Sequence, residues 1–331
     1  MTDQSATAEH AVISALVEYG LTGPVHLVKY RENHVFRLTN DRGDFAVRLH
    51  RAHYNDGAAI ESELHLLRSL DQAGFSVPKV IDTKNGELFT SVRNGDVHQY
   101  VSVLEWVPEA TPLGSIESGF DGSSTITPNA FRRCGELAGR LHNHLAGHTT
   151  ITGDKRQAWD YEGLVGEHAI WGDPFELSEV TPVRDILDEA SEALRAHLTS
   201  IGKTSTNYSV IHADMTPENI LVADSTMTLI DFDDFGSGWH AFELATLLFW
   251  FQRHHKFSEF RDAAVSGYAS TRGVIDDHMI AAMLFARGMT YLGWAARRRG
   301  DETAEFIAAQ LVSQVVDNAR DYLSATQRFR R

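Results

Sequence analysis

Two short acidic segments hold the residues best suited to chemistry. The first, Val210-Ile211-His212-Ala213-Asp214-Met215-Thr216-Pro217-Glu218-Asn219, and the second, Leu229-Ile230-Asp231-Phe232-Asp233-Asp234, each begin on an apolar, strand-like run. Between them, Ile220 to Val222 and Met227 to Ile230 flank a turn at Ala223-Asp224-Ser225, which predicts a hairpin. The twelve-residue step from Asn219 to Asp231 then returns the chain, so an amide oxygen and a carboxylate are expected at neighbouring strand ends. Hard oxygen ligands in that arrangement suit Mg²⁺, which takes one or two protein oxygens and completes its octahedron with water and phosphates. Asp214 lies five residues before Asn219, on the intervening loop, where it could accept a proton from a substrate hydroxyl. His212 is expected to hold that loop in shape by hydrogen bonding rather than to take the proton itself. Asp233 and Asp234 offer further oxygens, and Asp233 is expected as a third metal ligand beside Asn219 and Asp231.

These loops must be positioned by the rest of the chain. Val12, Ile13, Leu16 and Val17 recur at helical spacing before Gly20, a residue suited to a left-handed helix end. Then Val25 to Lys29, Val35 to Thr39 and Phe45 to Leu49 read as strands, the last two joined by Asn40-Asp41-Arg42-Gly43, so an antiparallel meander is expected. A period of two puts Phe45, Val47 and Leu49 on one face and Ala46, Arg48 and His50 on the other. Gly57 to Gly74 reads as a helix in which Glu63 sits three residues after Ile60 and four before Leu67, on the apolar face. A carboxylate there needs a cation, and Arg48 on the neighbouring strand is the candidate. Val77 to Ile81, Glu87 to Val92 and Gln99 to Val107 complete the strands. Pro108 to Thr127 reads as a linker of little regular structure. A helix begins near Pro128, with Phe131, Cys134, Ala138, Leu141 and Leu145 on one stripe, and Gly135 and Gly139 would admit a close backbone. Further helices are expected over Val183 to Leu198, Ala241 to Phe251, Asp277 to Arg298 and Glu302 to Leu323.

Composition narrows the class. With 331 residues, 30 Lys plus Arg and 45 Asp plus Glu, the chain has a formal charge of −15 and enough length for about two domains. Such a charge repels a phosphate backbone, so a nucleic-acid partner is not expected, while cationic substrates are favoured. The lone Cys134 allows neither an intrachain disulfide nor a cysteine-rich zinc site. No apolar run of membrane-spanning length and no basic leader followed by an apolar stretch occurs, so no membrane association and a cytoplasmic location are expected. His142-Asn143-His144 and His254-His255 lack the spacing of a zinc site and read as solvated helix faces. The oligomeric state is not read from the sequence.

His212-x-Asp214-x-x-x-x-Asn219 followed by Ile230-Asp231-Phe232-Asp233 looks like the catalytic and metal loops of the aminoglycoside phosphotransferase family, which includes homoserine and choline kinases and shares the protein-kinase-like fold. The resemblance covers most of the chain. It implies an α/β (α+β) bilobal architecture: a small antiparallel-sheet N-lobe over residues 1–107 with a hinge at 104–107, and a larger, mainly helical C-lobe over 108–331. It implies ATP and Mg²⁺ as cofactors, with Asp214 as catalytic base and Asn219 and Asp231 on the metal. Phe45-Ala46-Val47-Arg48 resembles the phosphate-clamping strand, Glu63 its ion-pair partner, and Val103 to Val107 the hinge whose main chain at Glu105 and Val107 meets adenine. Two departures stand out. Arg48 occupies the place where the family has Lys, and Arg is a planar fork rather than a point charge. Lys29-Tyr30-Arg31-Glu32-Asn33 replaces a glycine-rich loop, with Lys29 or Arg31 left to cover the phosphates. The expected reaction is transfer of the γ-phosphoryl group to a hydroxyl of a small molecule such as a hydroxylated amine, an amino acid or an aminoglycoside. Glu243 follows Asp231 by only twelve positions, which leaves no long phosphorylatable segment. The alternatives are a protein Ser/Thr kinase of the stress-response type and a non-catalytic nucleotide-binding module. Glu243 is read as a helix-start acid that braces the catalytic loop.

Overall fold

The computed structural model describes residues 3–30, 33–146 and 156–329. Arg31, offered above as a phosphate cover, lies outside the described residues. The chain divides into two compact units, one formed by residues up to Pro112 together with Ile220–Asp233, the other by Leu113–Asn219 and the residues from Asp234 onward.

The first unit is built on an antiparallel sheet. Helix α1 (Asp3–Tyr19) ends at Gly20, whose φ of +63° is the left-handed conformation expected there. Strands β1 (Val25–Tyr30), β2 (His34–Asn40) and β3 (Gly43–Leu49) form the meander, and β4 (Val80–Ile81), β5 (Phe89–Asn94) and β6 (Val97–Glu105) complete the sheet. Its order is β1-β2-β3-β6-β4, with β5 also paired to β6. Phe45, Val47 and Leu49 join Val12, Leu16 and Tyr19 of α1 in one apolar core. The opposite face of β3 presents Arg48 and His50, both buried, on the side of the sheet that carries the polar cluster described below. Helix α2 (Gly57–Gln72) starts where the Asp56 carboxylate accepts the Ala59 N–H at 2.8 Å, and its buried side includes Ile60, Leu64, Leu67 and Glu63. The hairpin forms as expected, Ile220–Ala223 against Thr226–Leu229, and pairs with β7 (Thr111–Pro112). The Leu229 N–H donates to the Ser76 carbonyl at 3.0 Å. Asp231 and Asp233 therefore belong to the first unit, whereas Asp214 and Asn219 belong to the second.

The second unit is helical. The stretch read as a linker holds a short helix, α3 (Ile116–Phe120), capped by Ser115 and buried at Phe120, besides β7. A five-residue helix lacks the repeated apolar spacing on which sequence patterns rest. Then come α4 (Pro128–Leu145), α5 (Tyr161–Val165), α6 (Arg184–Ile201), α7 (His240–Leu248), α8 (Phe257–Ala269), α9 (Asp277–Ala296) and α10 (Glu302–Phe329). All nine residues of α7 are buried, which accounts for its lack of a polar face. A small sheet sets Gly236–Trp239 between Tyr208–Ile211 and Ala158–Trp159. Among the described residues no helix is long and apolar enough to cross a membrane.

Helix α8, not expected from the sequence, meets α4 through Phe260, whose ring stacks on that of Phe131 with centroids 4.4 Å apart, and through small residues. An added Cβ at Gly135 of α4 would lie 2.0 Å from the Ala264 carbonyl oxygen, and one at Gly267 of α8 would lie 1.9 Å from that of Arg132. The two backbones touch. Gly135→Ala should therefore destabilise the protein: the roughly 1 kcal/mol that Ala gains in a helix is outweighed by overpacking of about 1–3 kcal/mol against backbone that cannot yield. A lower urea midpoint for Gly135→Ala checks this, and an unchanged or higher one refutes it.

Candidate active site

In the first unit a buried cation gathers three acids. The Arg48 guanidinium donates through Nη1 to Glu63 Oε1, and its Nη2 lies 3.3 Å from Asp231 Oδ1 and 3.6 Å from Asp233 Oδ1. The pairing inferred from strand and helix faces is present. Burial works against the guanidinium charge, but Glu63, Asp231 and Asp233 outweigh it and raise the pKa of Arg48 above its ordinary value. The acids differ in their surroundings. The Asp231 side chain keeps 45% of its surface exposed and that of Asp233 only 8%. Asn55 Nδ2 donates to Asp233 at both Oδ1 (3.0 Å) and the main-chain oxygen (3.2 Å). Asp233 thus faces Arg48 and Asn55, while Asp231, at a left-handed φ of +63°, turns surface toward solvent. At the hinge, the Glu105 N–H donates to the Lys79 carbonyl at 2.8 Å and the Trp106 N–H to that of Asp44 at 3.0 Å. The Glu105 carboxylate lies 3.7 Å from Lys79 Nζ, so the side chain is directed to a surface lysine.

In the second unit the loop that carries Asp214 is fixed atom by atom. Ala213 takes a φ of +67°, a costly conformation for a residue with a Cβ, and delivers Asp214. Asp214 Oδ1 accepts from Arg287 Nη2 at 2.6 Å, and Oδ2 accepts from Asn219 Nδ2 at 2.8 Å. The same Asn219 nitrogen donates to the Asp214 carbonyl at 2.9 Å. With its NH₂ group spent on Asp214, the amide has its oxygen left as an acceptor, the atom a hard cation would take. Taken each in its own unit, the Asn219 amide oxygen and the exposed Asp231 carboxylate are hard oxygen donors of the kind a divalent ion takes. His212 is buried, and its Nδ1 accepts the Asp214 N–H at 3.3 Å, so it shapes the loop as expected. Asp234 accepts from Trp171 Nε1 at 3.2 Å and, through its carbonyl, from Trp159 Nε1 at 2.7 Å.

Beneath this loop lies a buried network that the sequence reading misjudged. Glu243 Oε2 accepts the His212 N–H at 2.7 Å, which is the bracing role expected of it. His142 faces the same carboxylate oxygen at 3.4 Å, bonds the Tyr268 hydroxyl at 3.0 Å and stacks on His240 at 4.5 Å between ring centroids. His142 is fully buried rather than on a solvated face, and His254 is buried too. The reason is the α4–α8 approach, which covers the side of α4 that would otherwise meet water. Burial dominates both imidazoles: it lowers the pKa of His142 against the pull of Glu243, and lowers that of His240 to about 2. An unfolded histidine titrates near 6.5, so below that pH the unfolded chain binds protons that the folded chain refuses. Stability should fall as pH drops below about 6.5, by up to about 1.4 kcal/mol per pH unit for each such histidine. Urea melts between about pH 6.5 and 5 test this; His240→Asn should flatten the slope, and an equal slope in both proteins would contradict the assignment. Cys134 is buried with its thiol pushed up to about 12, as a packing residue should be.

Residues 28–278 match the model of a family described as the phosphotransferase enzyme family (APH). The chain belongs to this family. This phosphotransferase is 24% identical over 244 residues to the amicoumacin kinase of Bacillus subtilis (strain 168), a match spanning 73% of this chain and 67% of that one. Its fold is similar to that of a microcompartment-associated aminopropanol kinase, with a TM-score of 0.83, 25% identity and coverage of 97% and 98% of the two chains. It is also similar to an amicoumacin kinase solved with AMP-PNP, Ca²⁺ and Ami, at a TM-score of 0.70 and 18% identity over 96% and 94% of the chains. The relatives named are kinases of small molecules, and one of them was solved in complex with an ATP analogue and a divalent cation. The α/β protein-kinase-like fold expected from the motifs is the fold of this phosphotransferase.

Arg287 is the partner of Asp214 that motif reading does not supply. It does have a sequence signal: it is the one charged residue in the stretch Met279 to Ala296, and a lone charge inside an apolar helix requires a counter-charge. Which acid meets it is a matter of tertiary placement. Asn55, beside Asp233, carries no comparable signal.

Proposed function

We propose that this phosphotransferase transfers the γ-phosphoryl group of ATP to the hydroxyl of a small hydroxylated amine, an amino alcohol in the first instance. The observation that carries the reading is the Asp214 carboxylate: partly open to solvent at 24% exposure, yet held through both oxygens by Arg287 and Asn219. A carboxylate so oriented is suited to align an alcohol and to take its proton as the oxygen attacks phosphorus and the bond to the β-phosphate oxygen breaks. In this reading Asn219 and Asp231 are the metal ligands, Asp233 serves chiefly to hold Arg48, and Arg48 braced by Glu63 aligns the phosphates. A divalent ion held there, Mg²⁺ in the first instance, supplies positive charge to phosphate oxygens. The main chain at Glu105 and Val107 is assigned to adenine. The amine in the acceptor is supported by the net charge of −15, which concentrates cations, and by the likeness to the aminopropanol kinase over nearly the whole chain.

The test is incubation with Mg²⁺-ATP and a panel of acceptors: aminopropanol, ethanolamine, choline, homoserine, an aminoglycoside, an uncharged diol and a protein substrate. Release of ADP coupled to a phosphorylated amino alcohol, seen by mass spectrometry, is the expected result. Label entering only protein, or tight nucleotide binding with no product from any acceptor, would overturn it.

A further inference from the structure

The buried arginine of α9 has no place in the motifs, yet it touches the reactive carboxylate. We propose that Arg287 is the positioning residue of Asp214, clamping Oδ1 so that Oδ2 is the oxygen offered to the acceptor hydroxyl. The inference rests on the assignment of Asp214 as the base.

Three features of its surroundings support it. First, the guanidinium is itself immobilised: its centre lies 4.5 Å from the Trp171 ring, 4.3 Å from Tyr291 and 5.3 Å from Phe242, and no part of the side chain is exposed. Second, its hydrogen bonds converge on the base and the residue before it. Nη2 reaches Asp214 Oδ1 at 2.6 Å and the Tyr291 hydroxyl at 2.9 Å, and Nη1 reaches the Ala213 carbonyl at 3.3 Å. Tyr291 is anchored in turn by Trp250 Nε1 at 2.8 Å. The arginine therefore holds the carboxylate and also the backbone whose positive φ aims it. Third, the two oxygens of Asp214 have unequal partners. Oδ1 is tied to a fixed full charge among aromatic rings, and Oδ2, among the described residues, to the neutral amide of Asn219. The weaker partner is the one an incoming hydroxyl can share or replace.

Fold stability alone does not call for such a group. Exchanging a buried ion pair for apolar side chains of similar volume is often neutral or stabilising, so an Arg fixed on a half-open carboxylate is better explained by geometry at that carboxylate. During transfer the acceptor O–H proton passes to Oδ2 as the new O–P bond forms and the bond to the departing ADP oxygen breaks. Asp214 later returns that proton to water. Arg287 exchanges no proton and keeps the carboxylate plane fixed, and a misplacement of about 1 Å in such a group is worth about 10²-fold in rate.

The test compares Arg287→Met, Arg287→Lys and Tyr291→Phe with the wild-type enzyme, measuring kcat, acceptor KM, the Kd of AMP-PNP and the thermal midpoint. Arg287→Met should lose about 10²-fold in kcat with its AMP-PNP Kd within about threefold of wild type. Arg287→Lys, a point charge in place of a fork, should fall between Met and wild type, and Tyr291→Phe should lose roughly three- to tenfold in kcat. A merely structural role would lower the thermal midpoint and the fraction of active sites without reducing turnover per nucleotide-binding site. If Arg287→Met does not fold, the Lys and Phe variants decide. Turnover per site within threefold of wild type in the folded variants overturns the proposal, as does a loss that appears equally in AMP-PNP affinity. Asp214→Asn, assayed alongside, separates the two ideas: if it stays active the base assignment fails, and if it is inactive while the Arg287 variants are fully active, only the clamp fails.

Discussion

Replacing Asp214 by Asn is expected to lower kcat by about 10²- to 10⁴-fold, the usual contribution of a positioned general base. The change is nearly isosteric, so the Ala213 backbone and the Asn219 contact can persist. What is lost is the ability to accept the alcohol proton, together with the negative charge that faces Arg287. Because that guanidinium is wholly buried, an amide in place of the carboxylate also leaves a cation without its counter-charge, and some stability should be lost with the activity. Nucleotide affinity should be nearly unchanged, since the groups assigned to the phosphates lie elsewhere in the chain. Steady-state turnover with a productive acceptor and an AMP-PNP titration, run on the same sample, separate these effects. Most of the wild-type kcat surviving in Asp214→Asn would remove this residue from the chemistry.

The second large effect is expected at Arg48. Arg48→Met removes the cation from a site where Glu63 has no exposed surface and Asp233 very little, and taking one partner from a buried pair costs about 3–5 kcal/mol. The urea midpoint should drop accordingly, and a loss below about 1 kcal/mol would show that the pair does not hold the unit together. Arg48→Lys is the more informative change. In the wild type Nη1 serves Glu63 while Nη2 lies near Asp231 and Asp233, so the two nitrogens of one planar fork meet different acids. A single ammonium cannot reach both at hydrogen-bonding distance. Lysine at this strand position should therefore be the poorer residue here, in stability and in the Kd of Mg²⁺-ATP. A Lys variant equal to wild type in both would mean that Arg48 is only a charge equivalent.

Much of this was legible from spacing. The alternation along β3 placed Arg48 opposite the apolar face, and the three- and four-residue steps of α2 placed Glu63 toward it; both are local periodicities, and the ion pair follows once the two elements pack. The hairpin between the catalytic and metal segments was legible because alternation and turn residues coincide over a dozen positions. His142 was not legible. Its neighbours Asn143 and His144 are polar, and only the packing of α4 on α8, where glycines let the two backbones touch, turns that side of α4 inward. The linker reading of Pro108 to Thr127 failed for a similar reason, since α3 is too short to show a period.

What the sequence by itself determined is the set of polar groups offered for chemistry and their order along the chain: Asp214, the Asn219 amide, Asp231 and Asp233, at spacings that local strand and turn geometry convert into loops. Tertiary structure alone decided the partners of those groups. It gave Asp214 a buried arginine from a helix seventy-three residues further on, and turned Asp233 toward Asn55 and Arg48. The physical reason is that periodicity constrains which face a side chain occupies, whereas the pairing of two charges depends on distances between elements that no local pattern encodes. A buried charge states that it must have a partner, and only packing names it.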